Sequence, residues 1–167
     1  MKTILISLVI MICYVYNMQA QNAQSFLKVN NTMVSVYKDS LTDVCIHTIM
    51  NDTLFEHYYE MTLLEQSKYR FFVRIRCVSQ YNSPQLYGWV DKSYCGVYIY
   101  SGKDGMWRLY SSPDKKLPYI LLPNEKTKII EVLAFEGRWL LLKIECAGKI
   151  HKGWILDYCS SIYSSCT

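Results

Sequence analysis

The chain has 167 residues and a formal net charge of +4, from 18 Lys and Arg against 14 Asp and Glu. The charges are interspersed and form no basic block, so the composition gives little reason to expect a nucleic-acid partner. Fifteen Tyr and four Trp are many for this length. Because aromatic residues suit half-buried pleated surfaces, the composition favours an all-β fold.

Residues 1–20 have the features of a secretory signal peptide. Lys2 provides a positive start, an almost uninterrupted apolar run follows, and Ala20 offers a small residue at the cleavage position. The run is too short for a stable membrane anchor, and Cys13 lies inside it, which argues against lipidation. The mature chain, residues 21–167, is therefore predicted to be exported to the periplasm or the extracellular space and to be soluble there.

The first half of the mature chain alternates apolar and polar residues, as half-buried strands do. Residues 21–25 are polar and are expected to fray. The segment 54–64 is ambiguous, because its apolar spacing also suits one face of a helix. The strands predicted in chain order are 33–37, 44–49, 69–78 and 87–90, with a turn at Asn51 and Asp52 and polar loops at 38–43 and 79–85.

The second half repeats this order. In chain order, 106–110 matches 33–37, 117–123 matches 44–50, 131–136 matches 60–65, and 142–146 matches 73–77. Each copy then closes on a Gly-Trp signature followed by Tyr-Cys, at Gly88-Trp89 with Tyr94 and at Gly153-Trp154 with Tyr158. The copies differ mainly in loop length, which indicates a tandem duplication and favours a strand for 54–64. Only 101–105 resembles a linker, so we expect the two modules to pack together.

These residues resemble the bacterial SH3-type domains of the SH3b family. In that family, strands close on Gly-Trp-Val before Tyr-Leu, as the second copy does at 153–155 and 158–159. The first copy departs further from the pattern and is matched chiefly through the second. The resemblance implies an all-β fold of two tandem SH3-like small β-barrels, at 26–100 and 106–160, followed by a C-terminal tail at 161–167.

The signature residues have expected structural roles in such a barrel. Trp89 and Trp154 are expected to fill the two interiors with bulky side chains. Gly88 and Gly153 let the backbone lie close to a neighbouring strand. Tyr94 and Tyr158 are expected in a short helical turn that closes one barrel end, so the structural reading of this signature outweighs direct ligand contact.

Six cysteines remain after export, and an oxidising compartment allows them to pair. They are Cys45, Cys77, Cys95, Cys146, Cys159 and Cys166. Pairing Cys146 with Cys159 would span roughly 20 Å at about 3.3 Å per residue, whereas a disulfide tolerates at most about 7 Å. Cys77 and Cys146 share inward strand faces and are predicted to be free core cysteines. A bond between Cys159 and Cys166 stays open.

No motif points to a metal site, a cofactor or catalysis. Cys45 and His47 fall on one strand face, but no second ligand pair with metal spacing follows. No Cys opens a helix beside a small-residue elbow, and the two modules use nearly the whole chain. We therefore predict a protein that is not an enzyme and that carries neither metal nor cofactor. The glycosylation sequons at Asn30 and Asn51 have no meaning if the source is bacterial, as the resemblance implies.

The remaining candidate site is an aromatic groove in the second module. Alternation places Leu140 and Leu142 in the core, so Trp139 points outward, where Tyr110 and Tyr119 are expected beside it. SH3-like barrels use shallow aromatic slots of this kind for extended peptides. The alternative is that Trp139 is buried between the modules. In the first module the equivalent position is Arg70, so the groove is not duplicated.

These features predict a non-catalytic, exported binding or adaptor protein that recognises a cell-wall peptide or an envelope protein through this groove. Two alternatives remain. One is a proteinaceous inhibitor or immunity-type factor that blocks an envelope hydrolase, for which large loops such as 79–85 would serve. The other is a structural component of the cell envelope. The sequence does not decide the ligand or the oligomeric state.

Overall fold

The computed structural model describes residues 22–54, 56–80, 82–99, 104–156 and 158–159, so the predicted signal peptide and the tail at 161–167 lie outside the described residues. The described chain is mostly β-strand, with two short 3₁₀ helices, which confirms the all-β prediction. In the ambiguous segment 54–64, the residues from Tyr59 onward form a strand, as the repeat predicted. In the part that the structure describes, no helix is long and apolar enough to cross a membrane.

The strands are β1 Gln24–Leu27, β2 Val34–Tyr37, β3 Cys45–Ile49, β4 Tyr59–Gln66, β5 Arg70–Cys77, β6 Leu86–Asp91, β7 Cys95–Gly96, β8 Tyr98–Ile99, β9 Met106–Tyr110, β10 Tyr119–Pro123, β11 Thr127–Glu136, β12 Trp139–Cys146, β13 Lys149–Ile155 and β14 Tyr158–Cys159. The 3₁₀ helices are Lys92–Tyr94 and Asn124–Lys126.

The two large sheets repeat one topology. The first has the order β3-β2-β6-β5-β4-β1-β7, and the second has the order β10-β9-β13-β12-β11. When each strand of the first sheet is replaced by its counterpart in the sequence repeat, the order β3-β2-β6-β5-β4 becomes β10-β9-β13-β12-β11. Within the described ranges neither sheet closes through hydrogen-bonded strands, because β3 and β7 are the edges of the first sheet and β10 and β11 are those of the second.

Of the N-terminal residues expected to fray, Gln24 and Ser25 are instead part of the first sheet. Strand β1 pairs with β4 on one side and with β7 on the other. The Ser25 hydroxyl is fully buried and donates to the Gly96 carbonyl at 2.9 Å. The polar start of this segment hid the strand, which is held by backbone pairing, by the satisfied Ser25 hydroxyl and by the buried side chains of Phe26 and Leu27.

Alternation along the central strands of each sheet builds the core. Val73 and Ile75 of β5, and Leu142 and Ile144 of β12, are fully buried. Each such side chain contributes roughly 1.5–3 kcal/mol by leaving water. Cys77 and Cys146 continue the same inward faces as buried free thiols, as predicted. Cys159 is disulfide-bonded, and its partner lies outside the described residues.

The Gly-Trp signature is arranged in the opposite way to the prediction. Gly88 and Gly153 face the core, while Trp89 and Trp154 are half-buried on the outer faces of their sheets. A Cβ atom on Gly153 would lie 2.8 Å from Cγ of Leu109, so side chains of the neighbouring strand already fill the space beneath the glycine. The expectation that the two tryptophans fill the interiors is therefore wrong.

The tyrosines that close the signature differ between the two copies. Tyr94 lies in the 3₁₀ helix after β6, as expected for a short helical turn. Tyr158 lies instead in strand β14, which pairs with β8. Its hydroxyl accepts a hydrogen bond from the backbone N–H of Gln24 at 3.1 Å, and burial raises its pKa. The helical-turn prediction is thus confirmed for Tyr94 and wrong for Tyr158.

The two sheets pack against each other through β11, as the short linker predicts. The Lys92 ammonium lies 4.7 Å from the Phe71 ring centroid and donates to the Leu133 carbonyl at 2.7 Å, and burial lowers the pKa of this lysine. The Gln66 amide exchanges two hydrogen bonds of 3.2 Å with the backbone of Phe135. The rings of Phe71 and Phe135 meet edge to face at 5.7 Å.

A buried asparagine joins three segments of the first module. The Asn51 amide donates to the Leu27 carbonyl at 2.7 Å and to Oδ1 of Asn30 at 3.2 Å. Its own Oδ1 accepts from the backbone N–H of Tyr59 at 3.1 Å. Because Asn51 is fully buried, this sequon residue has a structural role: its hydrogen bonds link the segments of Leu27, Asn30 and Tyr59.

Candidate aromatic binding surface

The three aromatic residues predicted for the groove lie together on the outer face of the second sheet. Tyr110 is opposite Tyr119 in the pairing of β9 with β10, and their ring centroids are 5.3 Å apart. Trp139 meets the Tyr110 ring at 5.3 Å with an interplanar angle of 83°, an edge-to-face contact. The sequence therefore identified a real cluster.

Local sequence sets the direction of each ring. In β9, Trp107 and Leu109 are buried, so Tyr110 stands on the opposite face. Trp139 is the first residue of β12, directly after the turn that connects β11 to it. Gly137 occupies that turn with a φ of 56°, a left-handed conformation that glycine adopts without strain.

In this cluster one ring is buried, and the two rings that contact it are partly exposed. Tyr110 is only 7% exposed, because Tyr119 and Trp139 contact it from either side. Tyr119 is 47% exposed and Trp139 is half-buried. Because the two accessible rings pack on a buried ring, they can contact a flat or extended ligand without rearrangement of the core.

Trp154 belongs to the same surface, which the sequence interpretation missed. In the sheet, Trp154 is opposite Tyr110 on β9 and opposite Leu141 on β12. Tyr119, Tyr110, Trp154 and Leu141 therefore form one row across four strands. The signal was present in the sequence: Gly153 pairs with inward Leu142, so alternation requires Trp154 to point outward. We call Tyr110, Tyr119, Trp139 and Trp154 the aromatic surface.

The charges beside the aromatic surface are partly paired. Arg108, which lies opposite Leu121, forms an ion pair with Asp104. The backbone N–H of Met106 donates to Asp104, and together with Arg108 it lowers the pKa of that carboxyl. On the same outer face, Lys143 of β12 lies between Lys152 of β13 and Glu131 of β11. The surface is thus apolar at its centre, with charges of both signs along one side.

The first module places a cation where the second has Trp139. Arg70 opens β5 as Trp139 opens β12, and its guanidinium lies 3.7 Å from the Tyr37 ring centroid. It pairs with Asp91 at 2.8 Å and Asp43 at 2.5 Å, and donates to the Thr42 carbonyl at 2.6 Å. Two residues after each signature Trp, Asp91 in the first module is replaced by half-buried Leu156 in the second.

The loop of residues 38–44 covers this first-module site. Asp39 holds the loop in shape: its carboxylate accepts from the Thr42 hydroxyl at 2.6 Å and from the backbone N–H groups of Thr42 and Leu41. These bonds lower the pKa of Asp39 to about 2. Because Arg70 is only 8% exposed beneath this loop, the counterpart of the Trp139 position is closed in the first module, and the aromatic row there consists of half-buried Tyr37, Trp89 and Phe72.

The described cysteines and histidines are not grouped as metal ligands. In the described ranges, no group of three or more His, Cys, Asp and Glu side chains is placed to hold a metal ion. The Cys45 thiol is exposed and donates to the His47 carbonyl at 3.0 Å. Cys95 is buried, which raises its pKa to about 12 and removes its reactivity as a thiolate.

A scan against protein-family models, a search of curated proteins and a search of solved structures each found no match. The SH3b resemblance therefore rests on the residues of this chain.

Proposed function

We propose that this protein is a non-catalytic, exported binding or adaptor protein built from two tandem SH3-like small β-barrel modules of the SH3b type. Its ligand in this proposal is a cell-wall peptide or an envelope protein, held on the aromatic surface of the second module. The observation that carries the proposal is the contact of Trp139 and Tyr119 with the buried Tyr110 ring, which leaves both flanking rings accessible.

The repeat supplies an internal comparison that supports a dedicated surface. The first module has the same strand order, and Tyr37 ends its first repeat strand as Tyr110 does in the second. In the first module, however, Arg70 covers the Tyr37 ring and is held there by Asp43, Asp91 and the Thr42 carbonyl. In the second module, both members of the Arg70–Asp91 pair are replaced by apolar residues, Trp139 and Leu156. An aromatic residue kept partly in water is costly to hydrate, and a ligand that covers it removes that cost.

An extended peptide fits this geometry. The row from Tyr119 to Leu141 crosses the strands, and its half-buried rings can stack on peptide planes and apolar side chains. Each aromatic contact of this type contributes about 0.5–1.5 kcal/mol beyond the area it buries.

The test is co-sedimentation of residues 21–167 with purified cell-wall sacculi and with envelope extract. Trp139→Ala is the test variant. Phe72→Ala is the matched control, since Phe72 lies on the equivalent outer face of the first module, 5.5 Å from Trp89. We expect Trp139→Ala to lose binding while Phe72→Ala retains it, both folded by circular dichroism. Equal binding by the parent and Trp139→Ala would refute the assigned surface.

The inhibitor or immunity-type alternative is favoured by the width of the same outer face. Leu121 is 47% exposed, and Leu141 and Leu156 are half-buried beside Trp154. A folded hydrolase would cover such a face, whereas a peptide would cover only the row of rings. Competition distinguishes the two: soluble cell-wall peptides displace the bound partner in the first case and leave an inhibited hydrolase in place in the second.

A further inference from the structure

The outer edge of β10 is open and apolar. Among the described residues, no strand pairs with β10 on the side away from β9. Tyr119, Ile120 and Leu121 are each 46–47% exposed, and β10 itself carries no charged residue. Proteins normally protect such edges with charges, bulges or covering loops, because an open apolar edge pairs with another strand.

The direction of the backbone groups on β10 can be derived from one hydrogen bond. The backbone N–H of Ser111 donates to the Pro118 carbonyl at 3.3 Å, so Pro118 faces β9. Because hydrogen-bonding direction alternates along a strand, Ile120 and Leu122 also face β9, while Tyr119 and Leu121 direct their N–H and C=O groups to the open edge. Pro118 therefore removes no donor from that edge, whereas Pro123, in the same phase as Tyr119 and Leu121, has no N–H to offer there.

We propose that β10 pairs antiparallel with β10 of a second copy of this chain, with the two-fold axis at Ile120. In this register the N–H and C=O groups of Tyr119 bond to those of Leu121 of the second copy, and the reciprocal bonds form across the axis. The contact is isologous and closed, so it yields a dimer and not a fibre. It joins the two second-module sheets into one continuous sheet.

The backbone donors of β10 select this register. Tyr119, Leu121 and Pro123 share the phase that faces the open edge, and Pro123 has no N–H to donate. With the axis at Ile120, Tyr119 and Leu121 of one copy pair with Leu121 and Tyr119 of the second, so each of these N–H groups meets a carbonyl. Moving the axis by one residue to Leu121 places Tyr119 opposite Pro123 of the second copy and loses one hydrogen bond on each side of the axis.

The dimer also joins the two aromatic surfaces. Tyr119 and Leu121 share the outer face with Tyr110 and Arg108, their partners on β9. Across the axis, Tyr119 would lie beside Leu121 of the second copy, so the outer apolar face continues from one copy into the other. This pairing does not depend on ligand binding, and it can be tested without a ligand.

The corresponding edge of the first sheet, β3, is better protected. It carries the polar residues His47 and Thr48, and its pairing with β2 has a register shift at Tyr37. The chain just after it is held by the bridges of Asn51 and Asp52. Thr48 pairs with Ser35 as Leu121 pairs with Arg108, so Thr48 is the structural counterpart of Leu121.

Sedimentation velocity of residues 21–167 over a range of concentration tests the dimer. We expect a concentration-dependent shift from monomer to dimer. Leu121→Lys should raise the dimer dissociation constant at least about tenfold, because it sets an unpaired charge on each side of the axis. Thr48→Lys should leave it unchanged. A parent that stays monomeric at every concentration reached, or equal loss in both variants, would overturn the proposal.

A cysteine pair tests the register. With the axis at Ile120, the two Ile120 residues form a non-hydrogen-bonded pair with Cα atoms about 4.5 Å apart, which is within disulfide range. In a Cys45→Ser background, Ile120→Cys should oxidise to a covalent dimer, and Leu121→Cys should not. Cross-linking through Leu121→Cys, or through neither variant in a chain that dimerises, would refute this register.

Discussion

The inward placement of Gly153 predicts that its replacement by alanine destabilises the protein. Alanine normally stabilises a strand relative to glycine by about 0.4–1 kcal/mol, through the unfolded state. Here the added Cβ would lie 2.8 Å from Cγ of Leu109 and 3.0 Å from its Cβ and Cδ2. Overpacking of this kind costs about 1–3 kcal/mol. The steric cost should exceed the gain, so we expect a net loss of about 1–2 kcal/mol.

Urea unfolding of Gly153→Ala measures this loss as a lower midpoint at an unchanged slope. A double-mutant cycle with Leu109→Ala identifies the cause. In the Leu109→Ala background Cγ and Cδ2 are absent and only Cβ remains at 3.0 Å, so Gly153→Ala should cost clearly less than in the parent. If Gly153→Ala is neutral in the parent, or costs the same in both backgrounds, then Gly153 does not lie against Leu109 and the inward placement is refuted.

Three further predictions concern single side chains. Asn51→Ala leaves buried backbone groups without their partner and should lower the free energy of unfolding, measured with urea, by about 2–4 kcal/mol. A loss below about 0.5 kcal/mol would contradict the structural role of the Asn51 hydrogen bonds. The pKa of Asp39 is lowered from 3.8 to about 2, so the loop order it provides is complete above pH 3.8 and is lost as pH falls through 2. The amide NMR signal of Thr42 should therefore titrate with a midpoint near 2, and a midpoint near 3.8 would contradict these bonds. Finally, an alkylating reagent should modify exposed Cys45 in the native protein and leave Cys95, which is only 1% exposed, unmodified; rapid loss of both thiols would contradict the burial.

Alternation and self-similarity made much of the fold predictable. The inward residues of β5 and β12 were identified because strict period-two patterns leave one assignment of faces. The matched order of segments anticipated the matched order of strands in the two sheets. Trp139, Tyr110 and Tyr119 were placed together because each lies on the outward phase of its own strand.

One prediction failed because it assigned side chains to a strand face by their size instead of by the alternation of the strand. Trp89 and Trp154 were assigned to the interior because they are bulky, although Gly88 and Gly153 hold the inward phase beside them. The start of strand β1 was missed because Gln24 and Ser25 are polar, and their long-range pairing with β4 leaves no local sign in the sequence. Tyr158 was misplaced by analogy with Tyr94, although the two signatures differ in length by one residue before the Tyr.

The most direct test of the central claim is an NMR titration of the four tryptophan indole N–H signals, with soluble peptide fragments of the cell wall as the probe. Trp139 and Trp154 lie on the aromatic surface, Trp89 lies on the outer face of the first module, and Trp107 is 6% exposed in the core. A ligand on the proposed surface should shift the signals of Trp139 and Trp154 and leave those of Trp89 and Trp107 in place. Binding that shifts Trp89 alone, or that shifts none of the four, would contradict the proposal that the second module holds the ligand on this surface.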